Sequence, residues 1–207
     1  MENKLIPPNP FVEKYTPKGK NGLALDIRTG NGNSALFLAR EGFKVDAIDI
    51  NKNAIESLKE RSKEFKLELN AAVQDVRQFS FDKKYDVILA IQSLVFMKKS
   101  EFETIISKIK ESLNSGGVAM ISSFTTSDAS YLQFAQKREP VEENTFYSEG
   151  SKQYWNFLEK DELKNYFPNE EFKILAYEEF LKEDNPHEGT PYPHQHGIAR
   201  IAVELIK

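Results

Sequence analysis

A chain of 207 residues with 40% hydrophobic and 12% aromatic residues is long and apolar enough for one domain with decorations, and it does not have the composition of a disordered chain. A net charge of −4 gives no general attraction to phosphate backbones or anionic lipid, and no run approaches the roughly 18 apolar residues of a membrane helix, so neither nucleic acid nor membrane is an expected partner. The lack of cysteine removes disulfides, thiolate metal sites and thiol nucleophiles, and the start Met1-Glu2-Asn3-Lys4-Leu5 lacks a signal-peptide core, so a cytoplasmic protein is expected.

From Leu23 to about Thr126, short apolar runs alternate with helical periodicity, the signature of β-α units around a parallel sheet. The first strand, Leu23 to Ile27, leads into Arg28-Thr29-Gly30-Asn31-Gly32 and then a helix over Ser34 to Ala39, which Gly42 stops. A second strand runs from Phe43 to Asp49. Asn51 or Asn53 caps the next helix, whose Ala54, Leu58 and Phe65 face the sheet. Leu67 to Val73 is the third strand, ending at Gln74-Asp75-Val76, and the continuous apolar run Tyr85 to Ile91 predicts a fourth, covered on both faces.

Phe102, Ile105, Ile106, Ile109 and Leu113 form one apolar helical stripe. Asn114-Ser115-Gly116-Gly117 reads as a helix stop and turn before a fifth strand, Val118 to Phe124. Residues 127–157 mix charges with aromatics without a clean period, which suggests either a lid or a small satellite core. Glu159 to Phe167 predicts a short helix stopped by Pro168. Phe172 to Leu181 and Ile198 to Ile206 predict an antiparallel pair at the sheet edge. The expected architecture is a single α/β domain: a doubly wound, Rossmann-like, seven-stranded sheet, mostly parallel, with the last strand antiparallel. Residues 1–20 form an N-terminal segment, 127–157 an insertion or lid, and 183–197 a His-bearing hairpin loop.

The chemistry concentrates at the ends of the first two strands. Asp26 precedes a loop with Gly30 and Gly32, a helix follows directly, and Asp49 ends the second strand. Glycines let backbone approach a ligand, the helix N-terminus offers free N–H groups, and a carboxylate at a strand tip can hold both hydroxyls of a ribose. This is a nucleoside-shaped site. The spacing Gly30-x-Gly32-x-x-Ala35 also fits a dinucleotide fingerprint, but Asp26 would repel a pyrophosphate and attract an ammonium, pointing to a cofactor with an amino acid group.

Leu25-Asp26-Ile27-Arg28-Thr29-Gly30-Asn31-Gly32 with Val45-Asp46-Ala47-Ile48-Asp49-Ile50-Asn51 resembles the cofactor motif of class I S-adenosylmethionine-dependent methyltransferases, and within them the small tellurite-resistance-type branch. The resemblance implies S-adenosyl-L-methionine as cofactor. Asp26 would meet the methionine ammonium, Gly30 and Gly32 would run beneath the cofactor, Asp49 would hold the ribose and Ile50 would lie against adenine. Asp75 and Val76 would meet the adenine edge, and Ala90 to Ser93, including Gln92, would line the methionine end. Where the family has glycine this chain has Arg28, which would either pair with the cofactor's carboxylate or with Asp26, or clash and leave a binding-only or degenerate homologue.

Ile91-Gln92-Ser93-Leu94 does not resemble the Asn/Asp-Pro-Pro-aromatic signature of nucleic-acid amino methylation, so a small-molecule acceptor is expected, with a chalcogen compound or oxyanion suggested by the branch. His187, His194 and His196 lie in one Pro-bearing segment. His194 and His196 are the candidates for a catalytic base. A loop role and, with Glu188, a metal site are the alternatives, although no repeated ligand spacing supports a metal.

Overall fold

A computed structural model describes residues 7–19, 21–184 and 194–207. The chain opens with α1 (Pro10–Tyr15), started by Pro10 and capped by the Asn9 side chain, which accepts from Phe11 N–H. Strand β1 (Leu23–Ile27) and helix α2 (Asn33–Arg40) follow, then β2 (Lys44–Asp49) and α3 (Lys52–Glu64). Asn51 caps α3 by accepting from Asn53 and Ala54 N–H. Next come β3 (Leu69–Val73), a 3-10 turn at Val76–Gln78, β4 (Tyr85–Ile91) and α4 (Lys99–Glu111). The remainder comprises β5 (Leu113–Phe124), α5 (Ala129–Lys137), β6 (Thr145–Ser148), β7 (Gln153–Asn156), α6 (Glu162–Asn165), β8 (Phe172–Asp184) and β9 (His194–Leu205).

Seven strands form one sheet in the order β3-β2-β1-β4-β5-β9-β8. The first five are parallel, and β9 runs antiparallel to both β5 and β8, so the last strand is antiparallel as its sequence led us to expect. The chain winds outward from β1 to β3 and then returns to place β4 on the other side of β1. The helices that follow β1 and β4 therefore diverge, and a crevice opens beyond the carboxyl ends of these two strands.

Alternating residues of the strands feed two cores. Leu25, Ile27 and Ile88 pack with Phe102, Ile105, Ile106 and Ile109 of α4, while Ala24, Val87 and Leu89 pack with α1, α2 and α3 through Val12, Leu36, Leu38 and Leu58. The α4 stripe is therefore core packing. No helix among the described residues is long and apolar enough to cross a membrane.

Three local expectations are corrected. Leu113 belongs to β5 rather than the helix, because α4 ends at Glu111; Leu113 still reaches the same core. Asn114–Gly117 is not a free turn but an irregularity inside β5: the pairing jumps from Tyr85↔Leu113 to Val87↔Val118. The helix expected over Glu159–Phe167 contracts to Glu162–Asn165, since Asp161 takes a left-handed φ of 65° and Pro168 follows closely. The aperiodic stretch 127–157 contains α5 and a β6–β7 hairpin, whose side chains build a third cluster with Val95, Phe124, Phe146 and Phe157.

Candidate cofactor site

Two cavities lie at the carboxyl edge of β1, β2 and β4. One, of about 310 Å³, is lined by residues including Asp49, Ile50, Asp75, Val76, Ser93 and Phe96. The other, of about 270 Å³, is lined by residues including Asn9, Asp26, Gly30, Ser34 and Ile91. Arg28 is a wall residue of both. The first volume sits at the small end of the roughly 300–1,000 Å³ range of ligand pockets and the second just below it, so a nucleoside carrying an amino acid tail would need both.

Asp49 is only 5% exposed at the tip of β2. Its Oδ2 accepts from Gly30 N–H at 2.9 Å and its Oδ1 from Asn51 N–H at 2.8 Å, so the β1–α2 loop itself fixes the carboxylate's direction. Each oxygen keeps acceptor capacity for a further donor. Ile50, beside it, is 63% exposed, a large apolar side chain left uncovered on the cavity wall. Gly30 has φ 53°, and a Cβ there would meet nothing nearer than Arg28 O at 3.9 Å, so its open side allows close approach.

Asp26 is 5% exposed and accepts from the Thr29 hydroxyl at 2.6 Å. Burial pushes its carboxyl up to about 7; the Thr29 hydrogen bond opposes this, the nearby Asp49 charge adds to it, and the Ala35 amide opposes it. No ion pair to Asp26 is found among the described residues. A buried acid without a cation, on a cavity wall, is what an ammonium ligand would satisfy. The Ser93 hydroxyl, in a residue 4% exposed on the wall of the larger cavity, is likewise buried without a hydrogen-bond partner. These residues fit a group with a nucleoside at one end and an ammonium at the other.

Asp75 lines the larger cavity, but Arg77 already engages its carboxylate through Nη2 at 2.6 Å and through Nε and the backbone N–H. The Arg77 guanidinium accordingly holds the Asp75 carboxyl below its ordinary range. Val76 lines the same cavity. Gly32, Ala90 and Gln92 are not among the residues lining either cavity. A Cβ at Gly32 would fall 2.5 Å from Leu58 Cδ1, so this glycine serves the packing of α2 on α3. Ala90 is fully buried in the core. Gln92 takes φ 49°, donates from its N–H to Ser122 Oγ at 2.9 Å, and accepts from Arg28 Nη1 at 3.4 Å.

His196 is placed away from these walls. Its Nδ1 lies 2.8 Å from Oδ2 of the buried Asp128, its Nε2 lies 3.9 Å from Asp184 Oδ2, and its ring stacks on Phe124 at 4.8 Å. Phe124 stacks in turn on Trp155, which meets Phe96 edge-on. Asp128 also caps α5, accepting from Ser130 N–H, and accepts from Gly197 N–H. Sequence reasoning missed Asp128; its only local signal was a helix-capping residue before Ala129. His187, most of the 183–197 segment and the side chain of His194 lie outside the described residues. No group of three or more His, Asp or Glu residues arranged for a metal occurs among the described residues.

The strand order and the crevice between β1 and β4 are those of the class I S-adenosylmethionine-dependent methyltransferase fold, and a buried acid stands at each of two strand tips beside that crevice. A family model described as "Tellurite resistance protein TehB" matches residues 17–185, and the chain belongs to that family. It is 29% identical over 140 residues to a probable S-adenosyl-L-methionine-dependent methyltransferase TehB of Haemophilus influenzae, covering 67% of this chain and 47% of the relative. The chain thus spans about half the length of the curated relatives it matches. The crystal structure of TehB from the same organism superposes with a TM-score of 0.70 at 22% identity, covering 90% of this chain and 58% of that one. A methyltransferase structure from Methanosarcina mazei superposes with a TM-score of 0.73 at 21% identity, covering 97% and 99%.

Proposed function

We propose that the chain transfers a methyl group from S-adenosylmethionine to a small-molecule acceptor, and that the acceptor is a chalcogen compound or oxyanion. The observation that carries the cofactor reading is the pair of buried acids at adjoining strand tips: Asp26, without an ion pair among the described residues, and Asp49, aimed by the Gly30 amide. The family name supports the acceptor class.

In this reading Asp26 holds the ammonium and Asp49 accepts from the ribose hydroxyls. Ile50 and Val76 enclose the adenine, with Asp75 at its edge and the Ser93 hydroxyl donating into the same cavity. Bound there, the cofactor supplies a methyl group on a positively charged sulfur, which needs an acceptor held in line more than it needs an acid or base. Phe96, Met97 and Tyr154 then give an apolar wall that excludes water on the acceptor side. His196 acts as a positioning residue: with Asp128 it ties β9 to the segment after β5, and through Phe124 and Trp155 it braces Phe96.

A second reading, a homologue that binds the cofactor without transferring its methyl group, is favoured by Arg28 alone. Calorimetric titration with S-adenosylhomocysteine, native against Asp49→Ala, tests the cofactor site: we expect the variant to bind at least about tenfold more weakly, the loss of a charge-assisted contact. Unchanged affinity contradicts the ribose assignment. Labelled methyl transfer to tellurite, selenite and simple thiols separates the two readings, since binding without acceptor-dependent product supports the second.

A further inference from the structure

Arg28 stands in the turn after β1 with φ 57°, the left-handed region that glycine adopts freely. Its guanidinium carbon lies 4.2 Å from the Phe96 ring centroid, and its Nη1 donates to Gln92 O at 3.4 Å. Two non-glycine residues in left-handed conformation, one beyond β1 and one beyond β4, therefore meet across the crevice. Among the described residues no carboxylate lies within ion-pair distance of Arg28, and Asp49 is the acid whose field acts on it. Arg28 does not neutralise Asp26.

The nucleoside end of the site is marked by Asp49, Ile50 and Val76, and the ammonium end by Asp26; Arg28 lines both cavities between them. Any ligand that reaches both acids carries its middle past this cation. In the cofactor and in its demethylated product that middle is the sulfur atom, positively charged in the first and neutral in the second. Phe96, a wall of the nucleoside-end cavity, and the Gln92 carbonyl hold the guanidinium in place.

Resting on the cofactor reading above, we propose that Arg28 selects its ligand by the charge on the central sulfur, so that the neutral thioether of S-adenosylhomocysteine binds more tightly than the sulfonium of S-adenosylmethionine. Two positive charges brought together in a half-buried groove repel strongly, because water screens them incompletely. If the guanidinium instead paired with the ligand's carboxylate, both ligands would gain equally, since both carry it.

The test is calorimetric titration of native protein, Arg28→Gln and Arg28→Gly with each ligand. The glycine variant suits the left-handed backbone and guards against a folding defect in the glutamine variant. We expect S-adenosylhomocysteine to bind the native protein at least about tenfold more tightly. Both variants should bring the two affinities within about threefold of each other, chiefly by strengthening S-adenosylmethionine. An unchanged ratio in both variants overturns charge selection and leaves the methyltransferase reading standing. So does equal weakening of both ligands, which makes Arg28 a carboxylate partner, and so does equal binding gained from none, which makes it a steric block. Binding of neither ligand to any of the three proteins overturns the cofactor reading itself.

Discussion

At the scale of single residues, Asp26 is the group whose burial has the clearest functional cost. Its carboxyl is pushed up to about 7 from an ordinary 3.8. The folded state therefore holds this proton more tightly than the unfolded chain, and the stability that the neutral form contributes is lost as pH rises from about 4 to about 7. An ammonium ligand needs the ionised form, so affinity for S-adenosylhomocysteine should rise with pH toward about 7 and level off above it. We expect Asp26→Asn to bind more weakly, to lose this pH dependence, and to flatten the fall in stability over the same window. Titrations between about pH 5 and pH 8, paired with denaturant unfolding, check both. A native affinity flat across that range would remove Asp26 from the ligand's ammonium. Asp26 and Asp49 could be picked out from their order along the chain, because strand ends and glycines are local signals. The Arg77 fork on Asp75 and the Asp128–His196 pair were not legible, since each depends on side-chain directions or on segments 68 residues apart.

At the scale of elements, the two glycines of the β1–α2 loop do different work although they sit in one motif. Gly32 caps α2 in left-handed conformation with Leu58 directly against it, whereas Gly30 opens onto the smaller cavity. Gly32→Ala should therefore cost about 2 kcal/mol or more of stability, from backbone strain and the forced shift of Leu58. Gly30→Ala should instead weaken ligand binding with a smaller stability cost, because its Cβ enters open space that a ligand would fill. Thermal unfolding and calorimetry on both variants separate the effects; equal loss of ligand affinity in the two would show that Gly32 also faces the ligand. A motif read from sequence cannot divide these roles, since spacing does not report which side of a loop is covered by another helix. Leu113 illustrates the same limit. Its helical spacing was right for the apolar face, but the helix ended two residues earlier and the strand supplied the same burial.

At the scale of the whole molecule, a mostly parallel doubly wound sheet was legible because parallel strands buried on both faces carry continuous apolar runs, and Tyr85–Ile91 is such a run; the strand order itself comes from the structure. That order fixes where the crevice lies and hence which loops can meet a ligand. The 127–157 stretch was not legible: its aromatics are spent on contacts between distant elements, Trp155 with Phe96 and Phe124, and Tyr131 with Phe146 and Phe157. The resulting cluster fills a satellite core, and the same stretch supplies Lys152, Gln153 and Tyr154 to the wall of the larger cavity.

The central claim is that one ligand spans both cavities, and a crystal structure of the protein with S-adenosylhomocysteine tests it most directly. The account predicts ribose hydroxyls within hydrogen-bond distance of Asp49, adenine between Ile50 and Val76, and the ammonium at Asp26, with Arg28 alongside the sulfur. A ligand found with its ribose away from Asp49, or confined to one cavity with Asp26 still unpaired, would contradict it.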